Sequence, residues 1–501
     1  MSRERPFIVG FLVALATSTA ALGTDLRYGA KGLPVSFGNP YTANGSPSNY
    51  VWAAMFDGLT RLDKDGNLAP ALASAWKPLS PNTWQFNLRR DVAFSNGEPL
   101  NADTVIATLN WLRTPEGLRT IVGNEVRGIA GVEADGEHTV IITTARPDPI
   151  LPRRLSGVMM VAARAWTELG PEAFAKTPAN TGPFTVKDWG NGAKMTLVAN
   201  PASWRAPKVD RLILVNLPEN STRVQALLAG QVDIAGNIGV DDLDTLDGAG
   251  MLTAVGPAMS VLSIAFRQDK AGPLNDVRVR QALNYAVDKK SLSDVLLRGL
   301  GPPAGQPAAR QVTGYNPDVR PYPYDPAKAK ALLAEAGYPD GFALHAEVMV
   351  DRSPGDRAMF ESVVAALAKV GVTLELRTIT FGAWMDAYQS GNWGADTDAF
   401  LLSFNAGPYN DVARPLEIYS CLRPNGFTCD KALTAKIVAA NEEMDANRRL
   451  TQLGDLARLF HDTAPALYLT ELFDLFGLNR KVEGFAISNR VPVYEAISLR
   501  K

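Results

Sequence analysis

The feature that most constrains the fold of this chain is an alternation of short strand-like runs with amphipathic helical stretches, sustained from about residue 80 to residue 380. Thr83–Leu88 alternates apolar and polar residues, the period of a half-buried strand. Asn101–Arg113 has the other period. Asn101 is a helix cap, Asp103 lies in the first turn, and Val105, Leu109 and Leu112 recur at helical spacing. His138–Thr143 and Val209–Leu217 are further strands, and Ser221 is expected to cap a helix through Leu228 that Gly230 stops. Val277–Arg298 reads as one long helix, with Val279, Leu283, Ala286 and Val287 on one face. The helices Asp325–Ala336 and Asp356–Val370 are each followed by glycine and a strand, Phe342–Val350 and Val372–Ile379. This rhythm defines an α/β protein with mixed sheets. No repeat and no Gly/Ser linker interrupts the 501 residues. At roughly 100–200 residues per domain, the chain is expected to hold two to four domains that interleave.

The first 23 residues form a separate object. Arg3 and Arg5 precede a nine-residue apolar run, Phe7–Leu15, and small residues follow up to Gly23. That order is the pattern of a secretory signal peptide. A membrane anchor needs about 20 apolar residues. The mature protein is expected to begin near Thr24 or Asp25. With no cysteine near that point, it is expected in the periplasm without a lipid anchor. The two cysteines, Cys421 and Cys429, bracket a turn containing Pro424, Asn425 and Gly426. In an oxidising compartment the pair reads as a disulfide, with free thiols or half of a metal site as the alternatives.

Charge and motif content narrow the function. Lys plus Arg number 50 and Asp plus Glu 52, a formal net charge of −2. Binding of nucleic acid, which needs a basic surface, is therefore not expected. Three histidines, His138, His345 and His461, lie far apart, and no G-x-S-x-G or H-E-x-x-H motif is present. No enzyme, cofactor or resident metal is expected. A glycosidase built from two distant carboxylates is the alternative from another class.

Several segments, in order, resemble one family. They are FDGLTRLDKDGNLAPALASAWKPLSPNTWQFNL at Phe56–Leu88, continuing as RRDVAFSNGEPLNADTV, TGPFTVKDW at Thr181–Trp189, NDVRVRQALNYAVDKKSL at Asn275–Leu292 and YDPAKAKALLAEAGYPDGF at Tyr324–Phe342. Together they resemble the solute-binding proteins of peptide/opine/nickel-type ABC importers, family 5. The resemblance implies the two-lobed type II periplasmic-binding-protein fold with an extra domain, mixed sheets and a ligand cleft between the lobes. It divides the chain into domain I (24–50, 181–265 and 478–501), domain II (51–180) and domain III (266–477). Hinge crossings are expected near 265–270 and 477–481. The implied role is capture of a small solute by a monomer and its delivery to ABC permease subunits. A peptide-like or opine-like anion is expected, with an oligosaccharide, glycoside or metal chelate as alternatives.

In the family's dipeptide binders an Arg after a strand of domain III clamps the peptide carboxylate. The segment VMVDRSP puts Arg352 there, and a guanidinium fork suits a carboxylate. The amine-binding Asp of those proteins falls in LLSFNAGPYND, where Gly407 takes the aligned position and Asp411 stands four residues on. If neither supplies a carboxylate to the cleft, the ligand lacks an ordinary peptide's free α-amine. Phe37, Asn39 and Tyr41 are expected to line the first lobe, Met259 and Ser260 the approach to the hinge, and Phe404, Asn405, Tyr409 and Arg414 the variable segment of the second lobe.

Overall fold

The computed structural model describes residues 24–34, 36–42 and 48–500, so the expected signal peptide lies outside the described residues. At the centre of the fold, two long strands, Leu252–Phe266 and Ala466–Leu478, pair antiparallel. Ala466–Leu478 is buried along nearly its whole length, and Leu252–Phe266 from Gly256 onward. Both carry the near-continuous apolar runs of strands covered on two faces. On one side Ile234–Gly236 links the pair to Asp25–Ala30, Arg211–Asn216, Lys194–Ala199 and Phe184–Asp188. On the other, Ala399–Leu401 links it to Phe342–Val348 and Val372–Thr378.

Each flank contains parallel strands. Asp25–Ala30 runs parallel to Arg211–Asn216 and Ile234–Gly236, and Phe342–Val348 to Val372–Thr378 and Ala399–Leu401. Parallel neighbours need long crossovers. The helices Asn220–Leu228 and Asp356–Ala368 provide them. A separate antiparallel sheet orders Ala73–Ser80, Thr83–Leu88, Thr139–Thr144 and Ile129–Ala134, and buries Trp84 and Phe86.

Two large apolar cores result. One draws mainly on Leu26–Leu214 and Phe476–Ile497, the other on Val224–Leu475. Along the central pair the register slips between Pro257 and Val261 and again between Val261 and Ser263. Met259, inside that stretch, holds a left-handed φ of 51°.

Local sequence signals act as read at several points. Asn101 caps Ala102–Leu112 by accepting the Thr104 amide at 3.2 Å, and Asp325 caps Pro326–Glu335 by accepting the Lys328 amide at 2.9 Å. Cys421 and Cys429 are joined. Two expectations are corrected. Ser221 lies inside the helix Asn220–Leu228, whose N-cap position is Glu219. The long helix expected over Val277–Arg298 is two, Val277–Tyr285 and Lys289–Leu296. Asp288 accepts the Ser291 amide at 3.0 Å and starts a new helix, because its carboxylate satisfies an amide that a continuous helix would have bonded internally.

Candidate functional site

In open α/β sheets, ligand-binding groups gather outside the carboxyl ends of parallel strands. In the first lobe Asp25–Ala30 ends directly at Lys31. In the second, Phe342–Val348 runs into the loop that carries Arg352. That loop is pinned from below. The buried Asp356 carboxylate accepts the amides of Asp351 at 2.9 Å, Arg352 at 2.8 Å and Ser353 at 2.9 Å. Arg352 is thereby presented outward, its guanidinium 5.0 Å from the Phe381 ring centroid and without a carboxylate partner among the described residues. Lys31 is half-buried and also has no such partner there. Burial, then the charges of Arg352 and Arg490, push its ammonium down to about 8.

Arg490 and Asp474, whose charges act on Lys31, belong to a fixed polar cluster. Arg490 grips Asp474 of the central strand with two bonds, 2.8 and 2.9 Å. Asn237 donates to Asp474 at 3.5 Å and accepts the Tyr50 hydroxyl at 2.7 Å. Left-handed φ values occur within this cluster at Asn237 (52°) and Arg490 (70°), and in the Arg352 loop at Asp351 (61°). Such conformations cost energy and concentrate where a site needs backbone held in a set shape.

The lobes also touch away from these cations. Arg154, at the end of the short helix Leu151–Arg154 in the first lobe, contacts Asp148 at 3.2 Å and Glu125 at 3.7 Å on its own side. Across the divide it reaches Glu417 at 3.5 Å, donates to the Tyr409 hydroxyl at 3.2 Å, and lies 5.1 Å from the Tyr409 ring centroid. Burial raises the Glu417 carboxyl above its ordinary range, against the pull of Arg154. Ile150 packs with Tyr409 and Ala413, and Arg146 pairs with Glu442 at 2.9 Å. Gly66 tips the hairpin Thr60–Leu62/Leu68–Pro70, and its carbonyl accepts the Asn410 amide at 3.1 Å. A Cβ on Gly66 would stand 2.2 Å from that nitrogen.

The residues singled out in the sequence fall into three settings. Arg352 and Phe37 are exposed, Phe37 edge-on to Trp189 at 5.7 Å. Asn39, Met259, Ser260, Asn405, Gly407 and Arg414 form turns and strand contacts. Asn39 accepts the Tyr41 amide at 3.0 Å, Met259 packs toward Gly66, and Ser260 faces Asn405 in register. Asn405 accepts the Gly407 amide and the Arg414 guanidinium, both at 2.8 Å. Tyr41, Phe404, Tyr409 and Asp411 are buried. Tyr41 donates to the Met159 carbonyl at 2.9 Å and stacks on Trp111, while Phe404 stacks on Tyr419. Asp411 is held by two 2.8 Å bonds from Arg449, so its carboxylate is committed to a structural pair. Sequence reasoning missed Lys31, the Arg490–Asp474 pair and Arg154. Only Lys31 carried a usable signal, its place straight after the strand Asp25–Ala30.

Comparison with known proteins agrees with this architecture. Residues 67–422 match the profile of the bacterial extracellular solute-binding proteins, family 5, and the chain belongs to that family. It is 28% identical over 494 residues to heme-binding protein A of Haemophilus influenzae, covering 91% of this chain and 88% of that protein. It is 25% identical over 521 residues to the dipeptide-binding protein of Escherichia coli, covering 95% and 94%. The binding protein AgaA of A. tumefaciens R10, solved with agropinic acid, shares the fold with a TM-score of 0.79 at 23% identity, covering 95% of this chain and 99% of that one. Family 5 proteins are extracytoplasmic, non-enzymatic transport components that bind peptide-like solutes and deliver them to ABC permeases. Among the described residues, no helix is long and apolar enough to cross a membrane, and no group of His, Cys, Asp or Glu side chains is arranged to hold a metal ion.

Proposed function

We propose that the protein captures a small anionic solute of the peptide-like or opine-like class between its lobes and hands it, chemically unchanged, to an ABC permease. The observation that carries this reading is Arg352. It is an uncommitted guanidinium at the carboxyl end of a parallel strand, on a loop fixed by three amide bonds to Asp356. A planar fork of donors on a rigid mount suits a carboxylate. The absence of a free carboxylate at Gly407 and Asp411 favours a ligand that does not rely on a clamped α-amine. This supports opines and modified peptides over simple dipeptides. The lobes close about the expected crossings near 265–270 and 477–481.

Mass spectrometry of the small molecule that co-purifies with the protein, followed by calorimetry, tests the proposal. An anionic peptide or opine is expected, and Arg352→Ala should weaken its binding tenfold or more. An unchanged dissociation constant removes Arg352 from the site, and catalytic turnover of the solute overturns the whole reading.

A further inference from the structure

The seam where the lobes touch holds an unbalanced set of charges. Three carboxylates share the single guanidinium of Arg154, one at each nitrogen: Asp148 at Nε (3.2 Å), Glu125 at Nη1 (3.7 Å) and Glu417 at Nη2 (3.5 Å). The fork is small and rigid, so the three are crowded around one cation. They come from both sides of the divide. Glu125 and Arg154 adjoin Val126 and Leu155 of one apolar core, and Glu417 adjoins Leu416 of the other. No second cation answers them. The Arg414 guanidinium, on the same short helix as Glu417, bonds the Asn405 carbonyl at 2.8 Å, and Arg146 pairs with Glu442 at 2.9 Å. The neutral Tyr409 hydroxyl and ring cover Arg154, and Asn441 donates to Glu417 at 2.8 Å. One positive charge therefore stands against three negative ones, and all three carboxylate side chains are mostly buried. Like charges in a poorly solvated site favour the neutral form of one of them. Burial, with the charges of Asp148 and Glu125, raises the Glu417 carboxyl and outweighs the pull of Arg154.

We infer that this seam is a proton-operated catch: in mildly acidic surroundings Glu417 takes up a proton and the lobes hold together, and as the pH rises its carboxylate regains the charge and the seam loosens. When the lobes part, Glu417 leaves Asp148, Glu125 and Arg154 and returns to water, where it ionises as an ordinary glutamate. The closed state therefore binds the extra proton, and acid favours closure by linkage. The gain sets in as the pH falls into the raised range of the closed state. It is complete below the ordinary glutamate value of about 4.3. The catch acts on closure itself, whichever solute fills the cleft, so it stands apart from the proposed ligand class.

Single-molecule fluorescence transfer in the ligand-free protein tests this inference. Dyes are placed on Asp135→Cys and Lys436→Cys, exposed positions on the two sides of the seam, under non-reducing labelling that leaves the Cys421–Cys429 bond intact. The ratio of closed to open molecules should rise about threefold or more from pH 8 to pH 5 at constant ionic strength. Glu417→Gln, which keeps the shape and has no proton to take up, should hold the ratio at one value across that range. Glu125→Gln, which removes one repelling charge and leaves Glu417 in place, should at least halve the response. A ratio that does not move with pH overturns the inference, and so does a response that survives intact in Glu417→Gln. Should Glu417→Gln fail to fold, Glu125→Gln decides alone, and an undiminished response in it overturns the catch.

Discussion

Replacing Arg154 by Met should loosen ligand binding without touching the ligand. The substitution keeps most of the aliphatic stem and removes the charge. Within the first lobe, Asp148 and Glu125 lose their counter-ion whether the lobes are open or closed, so that loss largely cancels in the closing equilibrium. The contacts to Glu417 and to the Tyr409 hydroxyl span the two lobes and exist only when these meet. Breaking a fully buried ion pair costs about 3–5 kcal/mol. The Arg154 side chain is 15% exposed but that of Glu417 is 36% exposed. Solvent screening therefore reduces the interlobe share to about 1.5–2 kcal/mol. At about 1.4 kcal/mol per tenfold, the apparent affinity should fall about ten- to thirtyfold. Calorimetry gives the affinity, small-angle scattering of the free protein reports a more open mean shape, and a double-mutant cycle with Glu417→Gln isolates the coupling. Affinity within twofold of the parent, with no coupling in the cycle, would refute the reasoning.

Three further outcomes follow from the packing. Asp411→Ala, which strands buried Arg449, should cost about 3–5 kcal/mol in chemical denaturation; a loss under 1 kcal/mol would mean that the pair is solvated. Reducing the Cys421–Cys429 bond, which closes a short loop, should cost about 2–3 kcal/mol, read as an earlier denaturation midpoint in reductant; an unchanged midpoint would contradict it. Burial pushes the Lys289 ammonium down to about 7, from an unfolded value near 10.4. The unfolded chain then binds more protons between those limits, so the destabilisation is complete below pH 7 and fades as pH rises toward 10. Lys289→Met should therefore stabilise the protein by a few kcal/mol at pH 6 and by less at pH 10, and a pH-independent difference would exclude the buried charge as its cause.

Much of the scaffold was legible because it is locally encoded. Period-two runs such as Thr83–Leu88 became strands, and the caps Asn101 and Asp325 became helix starts. The break at Asp288 was readable in principle, since an Asp three residues before Ser291 is a capping pattern, but the apolar period across Val277–Val287 outweighed it. The cleft was legible only in part. Arg352 was singled out through the resemblance of VMVDRSP to the family's carboxylate-clamping segment, and its loop is held locally by Asp356. Arg490 could not, since its partner Asp474 and its neighbour Lys31 come from other elements brought together by the interleaved crossings. Asp411 looked available in the sequence because nothing local marks Arg449, 38 residues away, as its partner.

The glycine at the tip of the first lobe's small hairpin bears on how wide the resting jaws stand. With only a hydrogen where a methyl would be, the tip seats directly against Asn410. Any bulkier residue at position 66 becomes a doorstop. The seating of this hairpin on the segment that carries Asn410 can thus be altered from position 66 alone.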